Sequence, residues 1–166
     1  MKIRKLISAD ADEYFSLRLE ALQDSPTAFA TTYEEEKNQS AEKYKLSFNN
    51  STQATTIGAF KDSQLVGVVT LVKEQHMKLS HRVNLVAMYV KPEERGRGLG
   101  KELILTAIEY AKNLGGIEQI YLSVLATNVF AKKLYVSCGF EIFGNDKRAL
   151  KFNNTYYDEE LMVLFL

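Results

Sequence analysis

Apolar and polar positions along this chain of 166 residues fall into two periods, and the switches between them mark its elements. Residues 2–7 read as a short first strand. Phe15, Leu19 and Leu22 recur three and four apart, which predicts a helix to about residue 23 that opens on the capping pattern Asp10-x-x-Glu13 and stops at Ser25-Pro26. A short helical stretch is expected over 32–36 and another turn or two over 41–48, before a loop at Asn49-Asn50-Ser51-Thr52. The pattern then changes to strand: 55–61 and 65–73 flank a turn at Asp62-Ser63 as a hairpin, and 83–90 follows a polar connection over 78–82. Leu99, Leu103, Ala107, Tyr110, Ala111 and Leu114 restore helical spacing over 98–114, closed by Gly115-Gly116. A strand over 117–125, a helix over 128–138 closed by Gly139, and an antiparallel pair over 140–152 and 156–166 complete the order β-α-α-β-β-β-α-β-α-β-β. The expectation is one α/β domain over 1–166, a mixed β-sheet flanked by helices.

Composition narrows the function classes. Hydrophobic residues make up 46% and charged residues 25%, which excludes disorder. Lys+Arg and Asp+Glu both total 21, so nothing supports general attraction to nucleic acid or to an anionic membrane. Charge is local instead: basic over 91–101, acidic at Glu34-Glu35-Glu36. The lone Cys138 excludes an intrachain disulfide and fits a reducing cytoplasm. Residues 1–7 lack the apolar core of a signal peptide, and no apolar stretch approaches the ~20 residues that span a bilayer. His76 and His81 stand five apart in a polar connection with no metal-site spacing, so no metal is expected.

The chemistry lies in Arg95-Gly96-Arg97-Gly98-Leu99-Gly100-Lys101, between a strand and a helix. Glycines let backbone N–H groups converge on phosphate oxygens, and the helix dipole favours negative charge there. Arg95, Arg97 and Lys101 add positive charge. The P-loop pattern fails, because position 95 is Arg and position 102 is Glu; the dinucleotide fingerprint fails, because the glycines are spaced G-x-G-x-G. The fitting pattern is R-x-x-G-x-G at Arg95, Gly98 and Gly100. About thirty residues on stands Asn128-Val129-Phe130-Ala131-Lys132-Lys133-Leu134-Tyr135-Val136-Ser137-Cys138-Gly139-Phe140.

With both segments in view, the chain resembles the GCN5-related N-acetyltransferase (GNAT) superfamily. Its pyrophosphate loop reads [QR]-x-x-G-x-[GA], and a later segment reads N-x-x-A-x-x-[LF]-Y-x-x-x-G-F. The resemblance is firm from about Leu65 to the C-terminus and implies the acyl-CoA N-acyltransferase fold, with acetyl-CoA as co-substrate. It also implies acetyl transfer to a primary amine, on a small molecule, a peptide or a protein, by direct attack in a ternary complex. By the same resemblance the strand before the loop carries a bulge. Met88 N–H would then polarise the thioester carbonyl, and Val90 N–H and C=O would pair with pantetheine, with Tyr89 between them. The cofactor contacts expected are Met88, Tyr89, Val90, the loop residues Arg95, Gly96, Arg97, Gly98, Leu99, Gly100 and Lys101, and Asn128, Ala131 and Tyr135.

Asn128, Ala131 and Tyr135 share one helix face. A neutral tyrosine there can protonate the departing thiolate, so Tyr135 is the candidate general acid beside Met88. Phe130, Leu134 and Cys138 fall at i, i+4, i+8 and are expected in the core. By the resemblance the region of Glu34, Glu35 and Glu36 walls the acceptor site, where Phe29 and Tyr33 are candidate lining residues. The alternative is a module that senses acyl-CoA without transfer, which would have no use for the Tyr135 hydroxyl. The apolar segment 161–166 is a candidate homodimer contact.

Overall fold

The computed structural model describes residues 1–166. Its strands are β1 (Lys2–Lys5), β2 (Ala54–Lys61), β3 (Gln64–Lys73), β4 (Arg82–Val90), β5 (Gln119–Leu125), β6 (Glu141–Phe152) and β7 (Thr155–Phe165). Its helices are α1 (Ala11–Asp24), α2 (Tyr33–Glu36), α3 (Glu42–Asn50), α4 (Leu99–Asn113) and α5 (Val129–Ser137). The strands form one seven-stranded sheet in the order β1-β2-β3-β4-β5-β7-β6. Every pairing is antiparallel except β4 with β5. A parallel pair needs a crossover, and α4 supplies it. Two of the antiparallel pairs, β2 with β3 and β6 with β7, are joined by two-residue turns instead. Asp62 and Ser63 in one turn, and Asn153 and Asn154 in the other, all take positive φ, as a hairpin that follows the strand twist requires.

Two apolar layers enclose the sheet. On one face Leu99, Leu103, Ile104, Ala107, Ile108 and Ala111 of α4 pack on β2–β5 and reach Tyr135 and Met162. On the other, Tyr14, Leu17 and Ala21 of α1 pack with Leu6, Leu65, Val68 and Tyr89. The α1 layer covers the half of the sheet that holds β1–β4. Over β5, β7 and β6 no helix follows it, and that gap positions the site.

Two expectations, the capping box and the burial of Phe130, are corrected here. The box Asp10-x-x-Glu13 does not form, because both carboxylates serve tertiary contacts. Asp10 accepts two hydrogen bonds from Arg4 at 2.7 and 2.8 Å and one from Ile7 N–H at 2.8 Å, while Glu13 accepts from Leu65 N–H at 2.5 Å. Segment 161–166 lies mostly in β7, between β5 and β6; Met162 and Val163 are buried, and Phe165 and Leu166 are exposed. Phe130 is 89% exposed, whereas Leu134 and Cys138 do pack against the core. Helix α5 has two and a half turns, and Val129 and Phe130 in its first turn are exposed.

Candidate active site

The site begins at a defect in β4. Between the pairs Val68–Tyr89 and Thr70–Val86, Ala87 and Met88 stand opposite Val69 alone, and Ala87 takes φ +52°. This is a β-bulge, and an alanine in the left-handed region costs about 1–2 kcal/mol. The extra residue exchanges the faces of β4. Leu85 before it and Val90 after it share the α4 core, while Tyr89 turns to the α1 core. Beyond the bulge the strand also leaves its parallel neighbour. β4 and β5 pair only over Arg82, Asn84 and Val83 with Gln119, Tyr121 and Ile120. Lys91 N–H donates to Val66 C=O at 2.9 Å, so by alternation Tyr89 faces β3, and Met88 and Val90 turn their backbone groups into the gap.

Arg95 closes one of those groups. Its Nε donates to Val90 C=O at 2.8 Å, and its Nη2 donates to Asp24 at 2.6 Å. Its guanidinium lies 5.4 Å from the Tyr89 ring centre, and Tyr89 Oη reaches Glu20 at 3.4 Å. The Val90 C=O expected to meet pantetheine is therefore already bonded, and Arg95 anchors the loop to α1 rather than presenting a free cation. The Arg95 hydrogen bond pulls the Asp24 carboxyl below its ordinary range.

The loop itself is rich in donors. Arg95 N–H donates to Pro92 C=O and Glu102 N–H donates to Gly98 C=O. The six N–H groups between them, from Gly96 to Lys101, have no acceptor in the protein. Gly96 and Gly98 take φ +75° and +86°, and a side chain at either would meet nothing within 4 Å. Their glycines thus serve conformation, since positive φ strains other residues. Gly100 serves close approach, because a Cβ there would stand 3.1 Å from Leu134 Cδ2 and 3.5 Å from Met88 Cε. Leu99 is buried and can contribute only its N–H. Arg97 is exposed and 3.6 Å from Glu94, and Lys101 is exposed. A run of free donors at the N-terminus of a 15-residue helix, with two cations beside it, can hold a multiply charged phosphate.

Helix α5 completes that edge. Asn128 Oδ1 accepts from Ala131 N–H at 3.1 Å, which caps the helix and leaves the Asn128 amide N–H₂ available. Ala131 packs on the core. Tyr135 is buried, 7% exposed, with its ring edge-on to Phe140 at 5.8 Å. Its hydroxyl forms no hydrogen bond within the protein, yet it is not sealed from solvent. Burial pushes its pKa up to about 12, with the nearby Cys138 adding to the shift. The phenol is therefore a neutral donor at any physiological pH.

Beside the bulge, a cleft of about 530 Å³ opens where the α1 layer ends. Phe29, Val86, Ala87, Leu122, Phe143 and Leu161 give it apolar walls, and Arg18, Tyr121, Ser123 and Glu159 add polar groups. On β5 and β7, Tyr121, Ser123, Glu159 and Leu161 are the residues pointing away from α4, as period-2 alternation requires. Of the acceptor-wall candidates only Phe29 lines this cleft. Glu35 instead accepts from Thr32 N–H at 2.8 Å as a helix cap, Glu34 pairs with Lys37, and Tyr33 sits outside the cleft beneath Lys37. Glu36 is buried. Burial opposes its charge, but Lys43 at 2.8 Å and Tyr44 at 2.5 Å outweigh that and hold its carboxyl below the ordinary range. Sequence reasoning passed over Arg18, Tyr121, Ser123, Phe143 and Glu159. The signal available for the strand residues was their parity, opposite to the α4-facing Ile120, Leu122 and Met162.

No helix is long and apolar enough to cross a membrane, and no group of three or more His, Cys, Asp or Glu side chains is gathered to hold a metal ion. Comparison with known proteins agrees with the geometry. The sequence profile of the Acetyltransferase (GNAT) family matches residues 18–140. The chain is similar to a spermidine N(1)-acetyltransferase of Vibrio cholerae, 26% identical over 74% of this chain and 69% of that one. It is also similar to an L-amino acid N-acetyltransferase of Escherichia coli, 31% identical over 61% of this chain and 62% of the relative. The match thus spans less than two thirds of the Escherichia coli relative. Among solved structures, an acetyltransferase of the GNAT family from Streptococcus pneumoniae shares the fold with a TM-score of 0.92, at 23% identity over 99% of both chains.

Proposed function

The chain belongs to the acetyltransferase (GNAT) family, and on that premise we propose that it transfers an acetyl group from acetyl-CoA to a primary amine by direct attack in a ternary complex. The observation that carries this reading is the run of six unbonded N–H groups from Gly96 to Lys101 beside a strand splayed by a bulge at Ala87 and Met88. Acetyl-CoA supplies the acyl group as an activated thioester. The loop N–H groups, with Arg97 and Lys101, hold the pyrophosphate. Gly96 and Gly98 leave open space where a side chain would stand. Val90 N–H and the Asn128 amide serve the pantetheine, and Ala131 keeps that helix face close. Met88 N–H polarises the acyl carbonyl, a role for a preorganised donor.

The amine nitrogen bonds to the carbonyl carbon, and the carbon–sulfur bond breaks. The leaving sulfur takes its proton from Tyr135. The attacking ammonium first gives one proton to Glu159, directly or through water, and the second proton that the nitrogen loses as the amide forms returns the Tyr135 phenolate to the neutral phenol. Glu159 is the one carboxylate among the residues lining the cleft, and Glu34 and Glu35 are occupied elsewhere. With one cysteine and no candidate membrane helix, a reducing cytoplasm suits this enzyme.

Calorimetric titration with acetyl-CoA, with ATP as control, tests the cofactor site. Micromolar binding to acetyl-CoA alone is expected, followed by thiol release on addition of an amine from a panel. Folded protein that binds no acetyl-CoA would overturn the reading.

A further inference from the structure

Resting on the transferase reading above, we infer that Arg18 is a carboxylate-binding residue of the acceptor cleft. The preferred acceptor is then an amine that carries a carboxylate on an apolar body, an amino acid rather than a polyamine. Arg18 stands in α1, with 15% of its side chain exposed, and lines the cleft that contains Ala87 of the bulge. Its guanidinium donates no hydrogen bond to any protein group. Its nearest carboxylate is Glu36, 4.0 Å away, and that carboxylate is already bonded to Lys43 and Tyr44. The Phe29 ring, 5.2 Å from the guanidinium carbon, holds the planar group by stacking. A largely buried cation with an unused donor fork is matched by a carboxylate, which a guanidinium binds through two parallel bonds.

The other walls agree. Glu159, on β7, is the remaining charged group of the lining, so the cleft pairs one cation with one anion. A zwitterion matches that arrangement, with its ammonium toward Glu159 and its carboxylate toward Arg18. A polyamine carries only positive charge and would meet Arg18 unscreened. The rest of the lining includes Phe29, Val86, Phe143 and Leu161, which accept an aliphatic or aromatic side chain.

The test compares L-leucine and L-phenylalanine with their decarboxylated counterparts, isopentylamine and phenethylamine, and with spermidine. Thiol release from acetyl-CoA is followed for the wild type, Arg18→Gln and Arg18→Lys. The wild type is expected to favour each amino acid over its matched amine by about 100-fold in kcat/KM, since one buried bidentate contact carries that much discrimination. Arg18→Gln should erase the preference, the loss appearing chiefly as a raised KM for the amino acids, and Arg18→Lys should restore part of it. A preference for spermidine or for the decarboxylated amines, or a preference that survives Arg18→Gln, would overturn the inference.

A second readout does not depend on turnover. N-acetyl-L-leucine should bind the wild type at least tenfold more tightly than it binds Arg18→Gln in calorimetry, and equal binding would overturn the inference. Loss of acetyl-CoA binding or of all transfer, with this difference intact, would count against the transferase reading alone.

Discussion

Replacing Tyr135 by phenylalanine removes one oxygen from the site and nothing from the fold. The ring is 7% exposed and keeps its edge-on contact with Phe140. The hydroxyl has no protein partner, so its loss leaves no donor or acceptor stranded, and stability should stay within about 0.5 kcal/mol of the wild type. The chemical work proposed for it is to protonate a leaving thiolate. Loss of a positioned acid costs about 10²–10⁴-fold, which is about 2.7–5.5 kcal/mol of barrier. We therefore expect kcat for thiol release to fall by at least 100-fold while the calorimetric affinity for acetyl-CoA changes less than twofold. The pH dependence adds a second signature. Because the folded pKa is raised to about 12, the wild type should lose stability as pH climbs from about 10, the unfolded value, to 12. The phenylalanine variant should lack this contribution. A Tyr135→Phe enzyme within threefold of wild-type kcat at every pH would refute the general-acid assignment.

The loop and the first strand give two further expectations. Gly98→Ala places a side chain in open space at φ +86°. With no clash, the backbone term alone should destabilise the protein by about 1–2 kcal/mol, read as a lower melting temperature, and should weaken acetyl-CoA binding at least tenfold. Asp10→Asn breaks the paired hydrogen bonds from Arg4 at 2.7 and 2.8 Å, and we expect a loss of about 2 kcal/mol in urea unfolding. The Arg4 hydrogen bonds hold the Asp10 carboxyl below its ordinary value. Its contribution is therefore present above about pH 4 and is lost as pH falls through the lower folded value. The variant should consequently show the flatter acid limb, and parallel acid limbs would exclude Asp10 as their source.

The amino-acid sequence by itself determined the elements and the anion-binding loop, because both are written in neighbouring residues. Helix α4 follows from the spacing of Leu99, Leu103, Ala107 and Ala111, and the donors of Gly96–Lys101 follow from glycines at a strand-to-helix junction. What depends on residues far apart was decided by the tertiary structure. Arg95 has the composition of a phosphate ligand, yet Asp24 and Val90 C=O claim its guanidinium, and they meet only once α1 packs on β4. Phe130 obeys the helical spacing of its neighbours, yet it is exposed, because no other element packs over that side of the first turn of α5. Asp10 and Glu13 fit a capping box locally, and the stronger tertiary partners Arg4 and Leu65 N–H draw both away. The cleft beside the bulge is the fullest case. Arg18, Phe29, Ala87, Ser123, Phe143 and Glu159 come from six separate segments, and no local period connects them. They meet because the bulge at Ala87 splays β4 from β5 at the place where the α1 layer stops.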